Sequence, residues 1–396
     1  MSSIVKRYLS KPARISDRMA ENSYSINIIT GHVFGGILSV YETLIPFLNQ
    51  HFQVNIITLN KSFNYNDKFF PGNEKINLGV KPPLTGIRAL KFIIRLFLIS
   101  KRRNLKHYIV NNSATAILVY ITSFLLKLDF FIHIHEPISN NLNNKNQIIK
   151  KITIFFLNKT FRKSLGVICN SKSVQNDMRR YFPKIKTKLI YNPIPVSKIM
   201  NWTGTNPFLS ETNINCIFVS VGRLTKAKDY NTLIEACIEL RLREIVDYKV
   251  FIVGDGEEHN SLKLFIEKCN LTGNICLVGF KENPIPYVKY CDCYLSTSIW
   301  EGFGLTIAYA MLLRRPIIAS KTGGAIELLQ PNNAFFDIGN VIDLSNRMEH
   351  FIKTRKNDLT IIQKNFKKIL DFDSNNVAAN YINFINEQLL LRDSKR

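Results

Sequence analysis

The 396-residue sequence lacks a cysteine framework, a membrane-length apolar run and, over much of its length, acidic residues. Its seven cysteines, Cys169, Cys216, Cys237, Cys269, Cys276, Cys291 and Cys293, are odd in number and irregularly spaced. That excludes a disulfide scaffold and fits a reducing compartment. Cys291 and Cys293 form a Cys-x-Cys pair, but no second Cys/His pair stands at zinc-site spacing. Their alternation with Asp292 and Tyr294 reads better as two core residues of a strand. A secretory leader is not expected, because Lys6, Arg7, Lys11, Arg14, Asp17, Arg18 and Glu21 break up the first 25 residues. The longest uncharged apolar run, Ser113 to Leu126, is 14 residues long. A bilayer span needs about 20, so a helix buried against a sheet is expected there. These absences point to a cytoplasmic protein, soluble or peripheral on the inner face of the cytoplasmic membrane.

What is present in excess is positive charge, +23 overall. Between Lys81 and Ile190 stand 21 Lys/Arg against three acids, Asp129, Glu136 and Asp177. Such a field attracts polyanions. The segments RALKFIIRLFLISKRR (88–103) and QIIKKITIFFLNKTFRK (147–163) set their bases among Phe, Ile and Leu. That pattern suits an anionic membrane surface better than nucleic acid, for which no recognition module is present. A core-facing helix with a solvated basic back is the alternative for either segment.

Hydrophobic residues at 46% and charged ones at 21% describe a folded chain, long enough for two domains. Short apolar runs alternate with helical patterns from SINIIT (25–30) through VNIITL (54–59), HYIVNN (107–112), FFIHIH (130–135), GVICNS (166–171) and KLIYNP (188–193). The alternation restarts with INCIFVSVG (214–222), YKVFIVG (248–254), ICLVGF (275–280), DCYLSTS (292–298) and PIIAS (316–320). Parallel sheets with right-handed crossovers are implied. Pro193 and Pro195 interrupt the chain between the halves. The expected organisation is an N-terminal extension (1–23), a Rossmann-like domain (24–195), a second one (196–372) and a C-terminal helix (373–396) returning to the first. Two such domains would face each other across a cleft at the carboxyl ends of their strands.

Chemistry-bearing residues cluster at those strand ends. Gly222, Arg223 and Lys228 follow one strand, and two cations there can neutralise a departing diphosphate; a basic strand–helix loop is also common for structural reasons. Gly254 and Gly256 follow the next, but the third glycine of a dinucleotide fingerprint is replaced by His259, which counts against an NAD-dependent oxidoreductase. Glu301, Gly302, Phe303, Gly304 and Leu305 follow a strand and open a helix, where backbone amides approach a phosphate and the acid suits sugar hydroxyls. Gly323, Gly324 and Glu327 repeat the design. In the first half Gly35 and Gly36 lie between strand and helix. His135 ends the strand FFIHIH ahead of Glu136 and Pro137, with His133 two residues earlier. Asp371 and Asp373 mimic a metal motif but sit where helix caps are expected.

In this order and spacing, GRLTKAK, GDGEEHNSL, STSIWEGFGL and PIIASKTGGAIELL resemble the family 4 retaining glycosyltransferases of the GT-B fold. The resemblance spans most of residues 24–390 and is stronger in the second half. It implies a nucleotide-sugar donor, UDP- or GDP-linked, in the C-terminal domain and an acceptor held mainly by the N-terminal one. The acceptor would be a glycan or a polyprenyl-diphosphate-linked saccharide of surface polysaccharide assembly. Arg223 and Lys228 match the diphosphate-binding pair, Glu301 the first glutamate of the E-x7-E signature, and Gly35-Gly36 the early glycine loop. His135 matches a histidine at the reaction centre. No metal or other cofactor is implied. The second signature glutamate is replaced by Tyr309, at the position that usually holds the ribose hydroxyls. Ribose recognition is therefore expected to be reorganised, the alternative being a silenced protein kept as a scaffold or sugar-binding module.

Overall fold

Thirteen strands are formed among the described residues, all in two parallel sheets, and the central ones are branched aliphatic and aromatic runs buried on both faces. The computed structural model describes residues 24–30, 36–59, 70, 72–143, 145–211, 214–331, 334–355 and 358–395. The extension 1–23 and Gly35 lie outside the described residues. The chain divides into two compact units, one running to Pro193 and resuming at Ser374, the other comprising Ile194–Asp373. Ile194 already belongs to the second unit, since its amide donates to the Phe372 carbonyl at 2.8 Å.

The first unit contains β1 (Ser25–Thr30), α1 (Gly36–Leu48), β2 (Gln53–Thr58), β3 (Glu74–Asn77), α2 (Ile87–Arg103), β4 (His107–Val110), α3 (Ser113–Leu125), β5 (Asp129–Ile134), α4 (Ile138–Asn143), α5 (Gln147–Lys163), β6 (Gly166–Cys169), α6 (Lys172–Tyr181) and β7 (Thr187–Leu189). Its sheet runs β3-β2-β1-β4-β5-β6-β7. The order reverses beside β1, so right-handed crossovers put α1 on one face and α2, α3 and α5 on the other. The helix Ser374–Asp393 packs on α1, while α3 packs against both α2 and α5. Asn112 and Asn146 start α3 and α5 by accepting from the amides of Thr115 (2.7 Å) and Ile149 (2.9 Å), each satisfying a donor that the first helical turn leaves unpaired.

The second unit follows with α7 (Val196–Met200), β8 (Cys216–Val221), α8 (Tyr230–Leu242), β9 (Tyr248–Val253), α9 (His259–Lys268), β10 (Ile275–Gly279), α10 (Ile285–Tyr290), β11 (Cys293–Ser296), α11 (Leu305–Leu312), β12 (Ile317–Ser320), α12 (Gly323–Leu328), β13 (Ala334–Phe336), α13 (Val341–Thr354) and α14 (Leu359–Ile369). Its sheet runs β10-β9-β8-β11-β12-β13, so the switch point lies between β8 and β11. A core of Phe218, Leu233, Val250, Leu295 and Met348 holds helices to sheet.

Several elements differ from the sequence expectation. The strand expected over 107–112 stops at Val110, because Asn111 and Asn112 turn their side chains to the Ile29 carbonyl and the Thr115 amide. Cys291 is buried but is not part of a strand; it closes α10, its thiol donating to the Val288 carbonyl, and only Cys293 enters β11. Asp371 lies in a 3-10 turn, Leu370–Phe372, and buried Asp373 immediately precedes the C-terminal helix. Among the described residues no helix is long and apolar enough to cross a membrane.

Candidate functional site

In the second unit the residues singled out from the sequence converge where β8, β11 and β12 end. After Val221 the chain passes Gly222, Arg223 and Leu224 and enters a 3-10 turn, Lys226–Lys228, before Asp229 starts α8 in a left-handed conformation (φ 48°). The turn is stitched to the loop after β11. The Thr297 hydroxyl donates to the Lys228 carbonyl at 2.8 Å, and the Ile299 amide to the Ala227 carbonyl at 2.9 Å. This stitching brings the Lys228 ammonium to 2.5 Å from Oε2 of Glu301, to which Ser298 Oγ also donates at 3.3 Å. Both side chains of the ion pair are mostly covered, at 23% and 17% exposure. A cation and a carboxylate therefore share one partly desolvated corner, where their interaction is stronger than at an open surface.

Arg223 lies on the same loop but turns to Glu257, with 3.3 Å between the charged groups and more than half of each side chain exposed. The two cations are thus held by different carboxylates. Gly304, at φ +94°, swings the chain into α11 and leaves Glu301 beside the helix start. Gly324 approaches so closely that a Cβ there would stand 2.8 Å from the Glu301 carbonyl, and its amide donates to that oxygen at 3.1 Å. Gly302 is buried, and half-buried Leu305 opens α11. Tyr309 is half-buried one turn farther along the same helical face.

Three of the expected donor residues have their immediate partners within the protein. Gly254 and Gly256 turn their missing side chains toward protein backbone: Cβ atoms would lie 1.9 Å from the Gly222 carbonyl and 2.3 Å from the Leu224 carbonyl. The close approach of two loops is enough to require glycine at both positions. The Phe303 side chain is buried, its ring edge-on to Phe372 at 5.7 Å, so it anchors the loop from within. Sequence reasoning missed Thr297 and Ser298, which position Lys228 and Glu301. Their signal was the run of small hydroxyl residues at the end of an apolar strand.

In the first unit His135 follows β5, and its carbonyl accepts from Asn170 Nδ2 at 3.1 Å. Its Nε2 is 3.0 Å from Asn111 Oδ1, which also accepts from the Tyr41 hydroxyl at 2.7 Å. The His133 ring lies 3.9 Å from that of His135, and its Nδ1 is 3.3 and 3.4 Å from the hydroxyls of Tyr41 and Tyr381. Burial pushes the His135 pKa down to about 3. Burial, and then the neighbouring His135, hold His133 well below the usual histidine range. Both imidazoles are therefore neutral at pH 7. Glu136 accepts from Asn141 Nδ2 at 3.0 Å. Gly36 is the exposed first residue of α1.

The comparisons agree with this architecture. A model of the glycosyl transferases group 1 matches residues 211–368, and one of glycosyltransferase family 4 matches residues 34–198. An uncharacterized glycosyltransferase of Methanocaldococcus jannaschii is 28% identical over 186 residues, covering 45% of this chain and 46% of that protein. This match spans less than half of the archaeal relative's length. The N-acetylgalactosamine-N,N'-diacetylbacillosaminyl-diphospho-undecaprenol 4-alpha-N-acetylgalactosaminyltransferase of Campylobacter jejuni is 27% identical over 337 residues, or 82% of this chain and 87% of that one. The crystal structure of Anabaena HepE in complex with UDP-glucose superposes with a TM-score of 0.76 at 19% identity, covering 92% of this chain and 99% of that one. Two parallel-sheet units of this kind make up the GT-B fold. Within that class the chain belongs to glycosyltransferase family 4.

Proposed function

We propose that the protein transfers a hexose-type sugar from a UDP- or GDP-linked donor to a polyprenyl-diphosphate-linked saccharide, with retention of anomeric configuration. The observation that carries the donor reading is the Lys228–Glu301 pair at the switch point of the second sheet, with Arg223 on the same loop. Lys228 and Arg223 neutralise the diphosphate as the bond to the sugar breaks, and Glu301 binds hydroxyls of the transferred sugar. His135, neutral and at a strand end, hydrogen-bonds a substrate hydroxyl. With two side-chain cations on the leaving group, turnover needs no divalent metal and persists in EDTA. Retention rests on family membership, and the lipid-linked acceptor on the Campylobacter relative's name and on the surface of the first unit.

That surface is formed by three neighbouring helices. Ile87, Leu90, Ile94 and Leu98 make an exposed stripe along α2, on the side opposite its buried Phe92 and Leu96. Along α5, Ile148, Ile149, Ile152, Phe155 and Phe156 are exposed opposite buried Leu157 and Phe161. Phe124 and Leu125 are exposed at the end of α3, between the two. Lys91, Lys101, Arg102, Lys151, Lys159 and Arg162 flank the stripes, all exposed. Apolar rows edged by bases fit an anionic leaflet, the expected setting of a cytoplasmic enzyme acting on a polyprenyl carrier.

Saturation-transfer NMR against UDP-, GDP-, ADP- and dTDP-sugars tests the donor. A signal from one of them, lost in Lys228→Ala and Glu301→Ala, is expected; no signal from the folded protein would refute the reading. Sedimentation with vesicles containing phosphatidylglycerol tests the surface, with binding that weakens in salt and in Ile94→Asp. Equal sedimentation with neutral vesicles would refute it.

A further inference from the structure

The buried polar cluster behind His135 fixes which of its two nitrogens meets the substrate. Asn111, just past β4, is 3% exposed. Its Nδ2 donates to the Ile29 carbonyl at 2.9 Å, so the amide can face only one way; turned over, oxygen would meet oxygen. Its Oδ1 therefore points at Tyr41 and His135. A carboxamide oxygen only accepts, and one of its lone pairs takes the Tyr41 proton at 2.7 Å. At 3.0 Å the His135 Nε2 must then be the donor. A neutral imidazole carries one N–H, so the lone pair is left on Nδ1.

We propose that Asn111 is a positioning residue that locks His135 as the Nε2–H tautomer, so that His135 meets substrate as a hydrogen-bond acceptor at Nδ1. The groups around the imidazole come from four elements. Tyr41 on α1 orients Asn111, and Tyr381 on the C-terminal helix is 3.3 Å from the Tyr41 hydroxyl. The His133 ring, on β5, lies against that of His135 tilted by 40°, and Glu136 follows His135 in the chain, held by Asn141. Tyr41 and Tyr381 remain protonated, because burial raises the pKa of both. His133 stays neutral, and Glu136 is the one acidic side chain among these groups. Acceptor character at Nδ1 suits a sugar hydroxyl, which donates there, and disfavours an anionic oxygen, which cannot.

The inference rests on the reading of His135 as a substrate-contacting group, and its test separates the two. Full-length protein carrying 13C,15N-histidine gives two-bond 1H–15N correlations, and the set lost in His135→Gln belongs to His135. Those correlations are expected to show the Nε2–H pattern; the Nδ1–H pattern in the wild-type protein overturns the proposal. Asn111→Ala is expected to mix the tautomers and lower kcat/KM by about 10- to 100-fold. Asn111→Asp keeps an acceptor facing His135, and so the tautomer, while its second oxygen gives up the bond to the Ile29 carbonyl. Its added carboxylate favours imidazolium and moves the acid limb of the pH–rate profile up by about one unit or more. An unchanged acid limb in folded Asn111→Asp, with full activity in folded Asn111→Ala, overturns the positioning role. Full activity in His135→Gln, with the Nε2–H pattern present, supports the tautomer assignment and overturns the reading of His135 itself.

Discussion

A methyl group at position 254 has nowhere to go. Gly254 ends β9 at φ +151°, and its amide donates to the Gly279 carbonyl at 2.9 Å. An alanine Cβ there would stand 1.9 Å from the Gly222 oxygen and 2.9 Å from its carbon, so the two loops would have to part by more than an ångström. They are tied together by the Gly222 amide on Val253 O (3.0 Å), the Leu224 amide on Asp255 O (3.0 Å) and the Glu258 amide on Leu224 O (3.0 Å). Overpacking of this kind costs about 1–3 kcal/mol and an unfavourable φ about 1–3 more, so Gly254→Ala should destabilise by about 2–6 kcal/mol. Two controls separate the terms. Gly279 has φ +78° with nothing within 4 Å of a Cβ, so Gly279→Ala should cost about 1 kcal/mol from conformation alone. Gly273 has neither a positive φ nor a neighbour within 4 Å, so Gly273→Ala should be neutral or stabilising by up to about 1 kcal/mol. The assay is urea unfolding followed by tryptophan fluorescence, because the two tryptophans, Trp202 and Trp300, both lie in the second unit and report on it alone. A Gly254→Ala midpoint equal to that of Gly273→Ala would refute the close approach of the loops that carry Arg223 and Lys228.

The ion pair gives a kinetic prediction: Lys228→Met should lower kcat/KM by about 10²–10³, with Glu301→Gln falling mainly in kcat. Arg223 is held at 3.3 Å by exposed Glu257, so Glu257→Gln should free it and lower the donor Kd in titration calorimetry; a raised Kd would count against competition for Arg223. Below pH 6.5 a further prediction concerns stability. Folded His133 and His135 have pKa values below their unfolded ones, so the unfolded chain takes up protons first. Their contribution is present in full above about pH 6.5 and is lost as pH falls toward 3, at up to about 1.4 kcal/mol per pH unit per proton. His107, lowered mainly by burial, adds to the same slope. These histidines lie in the first unit, so urea midpoints followed by tyrosine absorbance or far-UV circular dichroism from pH 7 to 5 should fall less steeply in His135→Asn than in wild type, and equal slopes would sink the idea. Tyr309→Phe should raise the donor KM by about 10-fold if the phenol has taken over a ribose contact; an unchanged KM would make Tyr309 a packing residue of α11.

The two-sheet architecture was legible because parallel strands buried on both faces leave apolar runs that only turns and helices interrupt. Strand ends were less legible, and for a local reason. Asn111 and Asn112 look like a continuation of HYIV, but an asparagine side chain competes for backbone partners and ends the strand. The elements β3, α6, β13, α13 and α14 were left unassigned, since short or weakly patterned segments depend on tertiary packing more than on their own periodicity. Lys228, Glu301, Gly304 and Gly324, each read as lying at a strand end, do come together in one neighbourhood of the second unit. Gly254, Gly256 and Phe303 were expected at the ligand, and their immediate partners in the structure are backbone and core. A glycine pattern alone does not say whether the close neighbour is a phosphate or another loop. Asn111, Tyr41 and Tyr381 were invisible, because they meet His135 only after residues far apart in the chain are brought together.

Helices α2 and α5 show why periodicity left their role open. Each carries an apolar row facing the sheet and a second row on the opposite side. A single-sided helical pattern was not available to choose between core and surface. The structure resolves the ambiguity by burying Phe92, Leu96, Leu157 and Phe161 and leaving the outer rows in solvent. Exposed apolar residues elsewhere, such as Leu209, Leu264 and Leu359, lie on separate elements and need no explanation. The outer rows are different, because nine large side chains repeat at helical spacing on two elements of one layer. Burying one such side chain contributes about 1.5–3 kcal/mol, and a base near an anionic leaflet about 1 kcal/mol. Partial insertion of even a few therefore suffices for reversible binding. Salt weakens only the basic part, whereas Ile94→Asp or Phe155→Asp weakens the apolar part at every ionic strength. An acidic protein partner would show the first dependence with little of the second, and the two perturbations together distinguish a lipid surface from any ligand that recognises charge alone.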